Sequence, residues 1–123
     1  MKFSNICIIT ENVSGLARFY EAVFQTKAEG DDIHCALSTD GAVITIYSKK
    51  AAENDMSFNF SEYWGSGNFT IGYNVDDVDE EYERLKTMKV DFVTTPTTWP
   101  WGARSVHFRD PDGNIISFRS LLG

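Results

Sequence analysis

Apolar and polar positions along this chain follow a pattern that predicts a strand and then a helix, twice over. Residues 3–10 (FSNICIIT) predict a buried strand, and residues 16–24 carry an apolar stripe at helical spacing. Residues 68–75 (NFTIGYNV) and the apolar positions of 78–88 repeat that order. Residues that can cap a helix precede each stripe: Asn12 or Ser14 in the first case, and Asp76, Asp77 and Asp79 in the second.

A hairpin with an Asp-Gly turn is predicted after each helix. Residues 32–48 flank Asp40-Gly41, and residues 103–120 flank the turn Asp110-Pro-Asp-Gly-Asn114. The spacing between the two Asp-Gly pairs is close to the spacing between the two strand-to-helix corners, which lie at Val13 and Val78. This repetition indicates a chain made of two similar halves.

Short edge strands are predicted near 26–30 and 90–95, so each half has the order β-α-β-β-β. The predicted fold class is therefore α+β, with two tandem βαβββ modules in a single domain spanning residues 1–123. Module 1 covers about 1–48 and module 2 about 67–123. The segment at about 49–66, which is polar and then aromatic, is predicted to be a linker that covers the core or closes a cavity.

Charge and cysteine content narrow the function classes. The chain has 11 Lys and Arg against 18 Asp and Glu, a formal net charge of −7, which argues against a nucleic-acid partner. That charge mildly favours neutral or cationic small ligands. No apolar run approaches the length that crosses a bilayer, and no signal-peptide pattern is present. Cys7 and Cys35 fit no metal or redox spacing, so we expect reduced thiols in a cytoplasmic protein without a membrane partner.

Four motifs, in order and at suitable spacing, resemble the vicinal oxygen chelate superfamily, which includes glyoxalase I, bleomycin and fosfomycin resistance proteins and extradiol dioxygenases. The resemblance implies that each module is a curled mixed sheet with a helix on its outer face, that the sheets enclose a cavity, and that the protein is a homodimer. The motifs are Ile9-Thr-Glu-Asn-Val13 leading to Ala17-Arg-Phe-Tyr20, Val75-Asp-Asp-Val-Asp79 leading to Tyr82-Glu-Arg-Leu85, Pro100-Trp-Gly102, and Phe108-Arg-Asp-Pro-Asp-Gly-Asn114.

Metal-using members of that superfamily place His or Glu at four strand positions, and the resemblance puts Asn5, Thr45, Thr70 and Ser117 there. Amide and hydroxyl oxygens are poor ligands for Zn²⁺, Ni²⁺ or Fe²⁺, so we predict no catalytic metal and no cofactor. A relocated metal site using His34 or His107 is the alternative. If the two hairpins are aligned on their Asp-Gly pairs, His107 matches Cys35.

Without a metal, the cavity is expected to be a ligand pocket with aromatic surface and a few polar groups. The predicted ligand-binding residues are Asn5, Cys7, Thr45, Tyr47, Trp64, Thr70, Trp99, Trp101, Arg104, Ser117 and Arg119.

Three functions follow, and the residues leave all three open. The first is a metal-free binding protein resembling bleomycin resistance proteins, which would sequester a neutral or cationic aromatic ligand in an inter-sheet or dimer-interface cavity. The second is a divergent glyoxalase-like lyase or isomerase that uses Cys7, Tyr47 or His107 as acid or base. The third is a structural or regulatory dimer whose cavity is filled by its own side chains. The first function would not require the protein to be an enzyme, and we favour it.

Overall fold

The computed structural model describes residues 5–61, 64–65 and 69–121, so the predicted strand residues at 3–4 and the ring of Tyr63 lie outside it. The chain divides into two compact units, residues 1–64 and 65–123. Among the described residues, none of the helices has the length and apolar character needed to span a membrane.

Unit 1 contains a four-stranded mixed sheet. Strand β1 pairs in parallel with β4, and β3 pairs antiparallel with both β4 and β2, which gives the order β1-β4-β3-β2. Helix α1 begins after Asn12, whose side chain accepts a hydrogen bond from the Gly15 N–H at 3.0 Å. The elements are β1 (Asn5–Thr10), α1 (Val13–Phe24), β2 (Glu29–Gly30), β3 (His34–Thr39), β4 (Ala42–Ser48) and α2 (Lys49–Met56).

Unit 2 repeats this topology. Its sheet has the order β5-β9-β8-β6, again with the first and last strands of the unit in parallel. Asp77 caps α3 by accepting a hydrogen bond from the Glu80 N–H at 3.1 Å, and it occupies the position in unit 2 that Asn12 occupies in unit 1. The elements are β5 (Thr70–Asn74), α3 (Val78–Thr87), β6 (Asp91–Phe92), β7 (Thr97–Trp99), β8 (Ala103–Arg109) and β9 (Ile115–Leu121). The predicted α+β fold of two tandem βαβββ modules is confirmed.

Two details differ from the sequence-based prediction. The segment predicted as a linker contains the helix α2, which is polar apart from a few residues and buries only Ala52 fully, so it has no apolar stripe to reveal it. In unit 2 the edge partner of β8 is split into β6 and β7, because Pro96 between them has no N–H for the ladder.

The turn between β8 and β9 is built around a buried carboxylate. Asp110 is 4 % exposed, and its Oδ1 accepts hydrogen bonds from the backbone N–H groups of Asp112 and Asn114, both at 2.9 Å. Its Oδ2 accepts a third from Asn114 Nδ2 at 2.8 Å. Gly113 has φ = 92°, which a residue with a Cβ adopts only with strain. The corresponding Asp40, in the turn of unit 1, is exposed.

We therefore predict that Asp110→Ala lowers the free energy of unfolding by about 2–4 kcal/mol, because two buried donors of Asn114 and the half-buried N–H of Asp112 lose their acceptor. Asp40→Ala is the matched control and should change it by no more than about 0.5 kcal/mol. Urea denaturation followed by circular dichroism measures both. Equal effects of the two substitutions would contradict this account of the turn.

Candidate functional site

Strand alternation divides the side chains of the second sheet between two faces. One face packs on α3 through a series of rings, in which Tyr82 contacts Phe92, Phe92 contacts Phe108, and Phe108 contacts Phe118. The opposite face, which we call the distal face, carries the alternate residues of β8 and β9. In register across these strands, Ser105 pairs with Arg119 and His107 with Ser117.

A pocket of about 320 Å³, which we call the distal pocket, lies on the distal face of unit 2. Its volume falls within the usual range for small-molecule sites. It is lined by Trp99, Trp101, Ala103, Ser105, His107, Ser117 and Arg119. Four of the predicted ligand-binding residues are therefore brought together here: Trp99, Trp101, Ser117 and Arg119.

Two stacked indoles form the apolar wall of the distal pocket. The ring centroids of Trp99 and Trp101 are 5.2 Å apart, and the angle between the two ring planes is only 6°. Trp99 Nε1 donates a hydrogen bond to Ser105 Oγ at 2.7 Å, which fixes the orientation of the inner ring. Trp101 is 72 % exposed, an unusual state for so large an apolar surface. The outer ring is thus available for stacking on a ligand.

His107 supplies a neutral polar group. Its Nδ1 lies 2.9 Å from Thr94 Oγ1, and that oxygen also accepts a hydrogen bond from the His107 backbone N–H at 2.9 Å. Burial lowers the pKa of the His107 imidazole, so the ring is neutral at pH 7. The contact with Thr94 leaves Nε2 as the ring nitrogen for a ligand.

Ser117 and Arg119 complete the polar side of the pocket from β9. Ser117 is 9 % exposed, and among the described residues its hydroxyl has no hydrogen-bond partner. Arg119 is exposed, and its Nε donates to Asn74 Oδ1 at 3.2 Å. The guanidinium is thereby anchored at one nitrogen only.

Arg104 lies away from the distal pocket, although it is among the predicted ligand-binding residues. It projects from the α3 face of β8, where Nε and Nη2 donate to the Asp79 carboxylate at 2.8 and 2.7 Å. This ion pair raises the pKa of Arg104 and lowers the pKa of Asp79. Thr70 is exposed on β5 and is not part of the lining either.

The other predicted residues lie in unit 1. Asn5 Nδ2 donates to Thr45 Oγ1 at 3.1 Å, and Cys7 pairs with Thr45 in the register of β1 and β4. The Cys7 thiol is exposed and free, and Tyr47 contacts the ring of His34 edge-on at 5.7 Å. These groups share the face of the first sheet opposite to its buried residues Ile44 and Ile46.

Trp64 belongs to an aromatic cluster of unit 1. Its ring contacts Phe60 at 4.9 Å, and Lys49 Nζ lies 4.8 Å from the ring centroid as a cation–π contact. Phe60 in turn contacts Phe58 at 5.9 Å.

The side chains at the four strand positions where metal-using members of the superfamily place His or Glu do not suit a divalent metal. In unit 1 the Asn5 amide is hydrogen-bonded to the Thr45 hydroxyl, and in unit 2 Thr70 and Ser117 offer hydroxyls only. No group of three or more His, Cys, Asp or Glu that could hold an ion occurs within residues 5–61, 64–65 and 69–121. Among the described residues, the pocket lining that contains His107 also contains Arg119 and includes no carboxylate.

Three residues of the lining were not predicted as ligand contacts: Ala103, Ser105 and His107, the last of which had been considered only as an acid or base or as a metal ligand. They occupy alternate positions of β8 and therefore share one face of that strand. Counting every second residue of the strand back from His107 would have identified Ser105 and Ala103 from the sequence.

The match of His107 to Cys35 is wrong by one residue. The register pairs Ala36 with Thr45 and His107 with Ser117, so His107 corresponds to Ala36. The shift arises because the turn after β8 is longer than the turn after β3. Cys35 is buried on the other face of its sheet, and this burial raises the pKa of its thiol.

Comparison with known proteins gives one family. Residues 2–118 match the model of the Glyoxalase/Bleomycin resistance protein/Dioxygenase superfamily. A family protein from Burkholderia phytofirmans PsJN has a similar structure, with a TM-score of 0.86 and 19 % identity, over 97 % of this chain and 98 % of that one. A second, from Nocardioides, gives a TM-score of 0.85 and 17 % identity over 99 % of this chain and 84 % of that one.

A curated relative, the uncharacterized protein YraH of Bacillus subtilis (strain 168), is 38 % identical over 55 residues, 44 % of this chain. The match spans 43 % of the length of that relative, less than half. The structural likenesses, at such low sequence identity, concern the fold alone, whereas the family model covers nearly all of the sequence. The chain belongs to the Glyoxalase/Bleomycin resistance protein/Dioxygenase superfamily.

Proposed function

We propose that this protein binds a small planar molecule in the distal pocket and does so without a metal. The observation that carries the proposal is the pair of stacked indoles, Trp99 and Trp101, beside polar groups that have free hydrogen-bonding capacity. An apolar wall with a few placed polar groups is typical of small-molecule sites. The bond from Trp99 to Ser105 holds the wall in place before a ligand arrives, which lowers the entropic cost of binding.

Metal independence is supported by the chemistry of the lining. One imidazole, two hydroxyls and a guanidinium make a weak donor set, and the Arg119 charge repels a divalent cation. Binding that persists in excess EDTA would agree with this part of the proposal. A requirement for Zn²⁺, Ni²⁺ or Mn²⁺ would contradict it.

A glyoxalase-like lyase or isomerase is the second candidate, and His107 is the observation that favours it. A neutral imidazole with one nitrogen held by Thr94 and the other facing a ligand can act as a general acid or a general base, according to which ring nitrogen carries the proton. Turnover of the methylglyoxal–glutathione adduct that is lost in His107→Asn would favour this candidate over binding alone. The third, a dimer with a filled cavity, has no comparable support, since the distal pocket is not filled.

Removing the exposed indole should weaken binding. We expect Trp101→Ala to reduce the affinity for a planar aromatic ligand about tenfold, because ring stacking contributes roughly 0.5–1.5 kcal/mol in addition to the apolar area buried. A screen of planar aromatic compounds by thermal shift, followed by calorimetric titration of the hits in EDTA, measures this. Trp64→Ala, in unit 1, tests the remaining predicted indole. Unchanged affinity in Trp101→Ala would refute the stacking role.

His107 should titrate below its ordinary range. The chain has two histidines, so an NMR titration of the imidazole protons gives two curves, which the His34→Asn variant assigns. We expect the His107 midpoint below 6.5, because burial disfavours the charged ring.

The same shift affects stability. Since the folded pKa is depressed, the unfolded chain takes up more protons as pH falls through about 6.5, and the free energy of unfolding decreases. The His107→Asn variant keeps a polar amide near Thr94 but has no imidazole there to protonate. The loss of unfolding free energy that His107 causes at low pH should therefore be absent from it. A His107 midpoint at or above 6.5 would be the contrary result.

We also propose a homodimer, as the family resemblance implied. Sedimentation equilibrium should then give twice the monomer mass of 13.9 kDa. A mass equal to one chain at micromolar concentration would reject it.

A further inference from the structure

The distal pocket carries a charge opposite to that of the protein. The chain as a whole has a formal net charge of −7, yet none of the described residues that line this pocket is acidic. Arg119 is the charged member of the lining at pH 7, since His107 is neutral. The local field therefore favours an anion, whereas the overall composition had favoured neutral or cationic ligands.

Arg119 has no carboxylate partner among the residues that the structure describes. The salt bridges within those ranges use Lys49, Arg84, Lys86 and Arg104 as their cations. Arg119 instead donates its Nε to the neutral Oδ1 of Asn74. Its two terminal nitrogens, Nη1 and Nη2, have no partner in the described chain, and together they form the end of the guanidinium that can grip both oxygens of one carboxylate.

Neutral polar side chains and an aromatic ring line the pocket together with Nη1 and Nη2 of Arg119. Ser117 precedes Arg119 by two residues on the same face of β9, and His107 lies opposite Ser117 on β8. The indole of Trp101, with one face free for stacking, bounds the same pocket. Hydrogen-bond donors beside a guanidinium favour an anionic group, and a flat ring favours an aromatic body.

We propose that the ligand of the distal pocket is a planar aromatic carboxylate, with its carboxylate on Nη1 and Nη2 of Arg119 and its ring against Trp101. This inference rests on the proposed function and specifies the class of ligand. An aromatic cation would stack equally well on the indoles but would meet a like charge at Arg119. A neutral ligand would leave that charge without a counterpart.

Three isosteric probes test the proposal: 2-naphthoate, 2-naphthamide and 2-naphthylmethylammonium. Calorimetric titration of the full chain at pH 7 in 50 mM salt measures each affinity. We expect 2-naphthoate to bind about tenfold more tightly than the amide, and the ammonium probe to bind more weakly than the amide. The advantage of the carboxylate should diminish in 500 mM salt, because an exposed charge pair is screened.

Arg119→Gln is the decisive variant, and Arg104→Gln is its matched control on the opposite face of the neighbouring strand. Arg119→Gln should abolish the preference for the carboxylate while amide binding remains, which also shows that the variant is folded. Arg104→Gln should retain the preference. Equal binding of acid and amide by the parent protein, or tighter binding of the ammonium probe, overturns this inference and leaves small-molecule binding intact. If Trp101→Ala changes nothing and none of the probes binds, the proposed function fails together with it.

Discussion

The pairing register between β8 and β9 decides which side chains reach the distal pocket. Successive residues of a strand point to opposite faces, so a slip of one residue would exchange the two sets completely. The rings of Phe108 and Phe118 prevent such a slip, because they pack at 5.2 Å on the face toward α3. The buried Asp110 closes the connecting turn with three hydrogen bonds. Arg119 faces the pocket because these apolar and turn contacts hold the ladder in place.

The two units show how one scaffold can hold different chemistry. Asn5 and Thr45 of unit 1 satisfy one another by a hydrogen bond. At the position of unit 2 that repeats Thr45, the Ser117 hydroxyl has no partner within the described part of the chain, and the residue opposite it changes from Ala36 to His107. Substitutions on the face that packs on no main helix leave the rings that pack against α3 in place. Ligand chemistry can therefore diverge on this face while the βαβββ topology persists.

Much of the fold could be predicted because it depends on local patterns. The helix caps, the apolar stripes and the turn residues are each visible within a few positions. The recurrence of the strand-to-helix corner, at Val13 and Val78, and of the Asp-Gly turn indicated two modules. The site was predicted less completely. Ser117 and Arg119 follow from alternation along one strand, whereas Arg104 was assigned by its nearness to Trp101 along the chain. Alternation places it on the α3 face, where Asp79 binds it. The helix α2 has little apolar periodicity and left no such signal.

Charge at a site need not follow the charge of the chain. An excess of carboxylates raises the negative potential at every distance, but over a few ångströms the nearest full charge dominates the interaction energy. In the distal pocket that nearest charge is the guanidinium of Arg119, held at Nε by an amide that contributes no charge of its own. Had Asn74 been an aspartate, the fork would be neutralised and the pocket would have no preference for an anion. The negative potential of the rest of the protein lowers the affinity for anions in general. An anionic ligand should therefore also need the stacking contact with Trp101. Stacking alone can therefore hold a neutral ring, and the contact with Arg119 adds the preference for an aromatic acid.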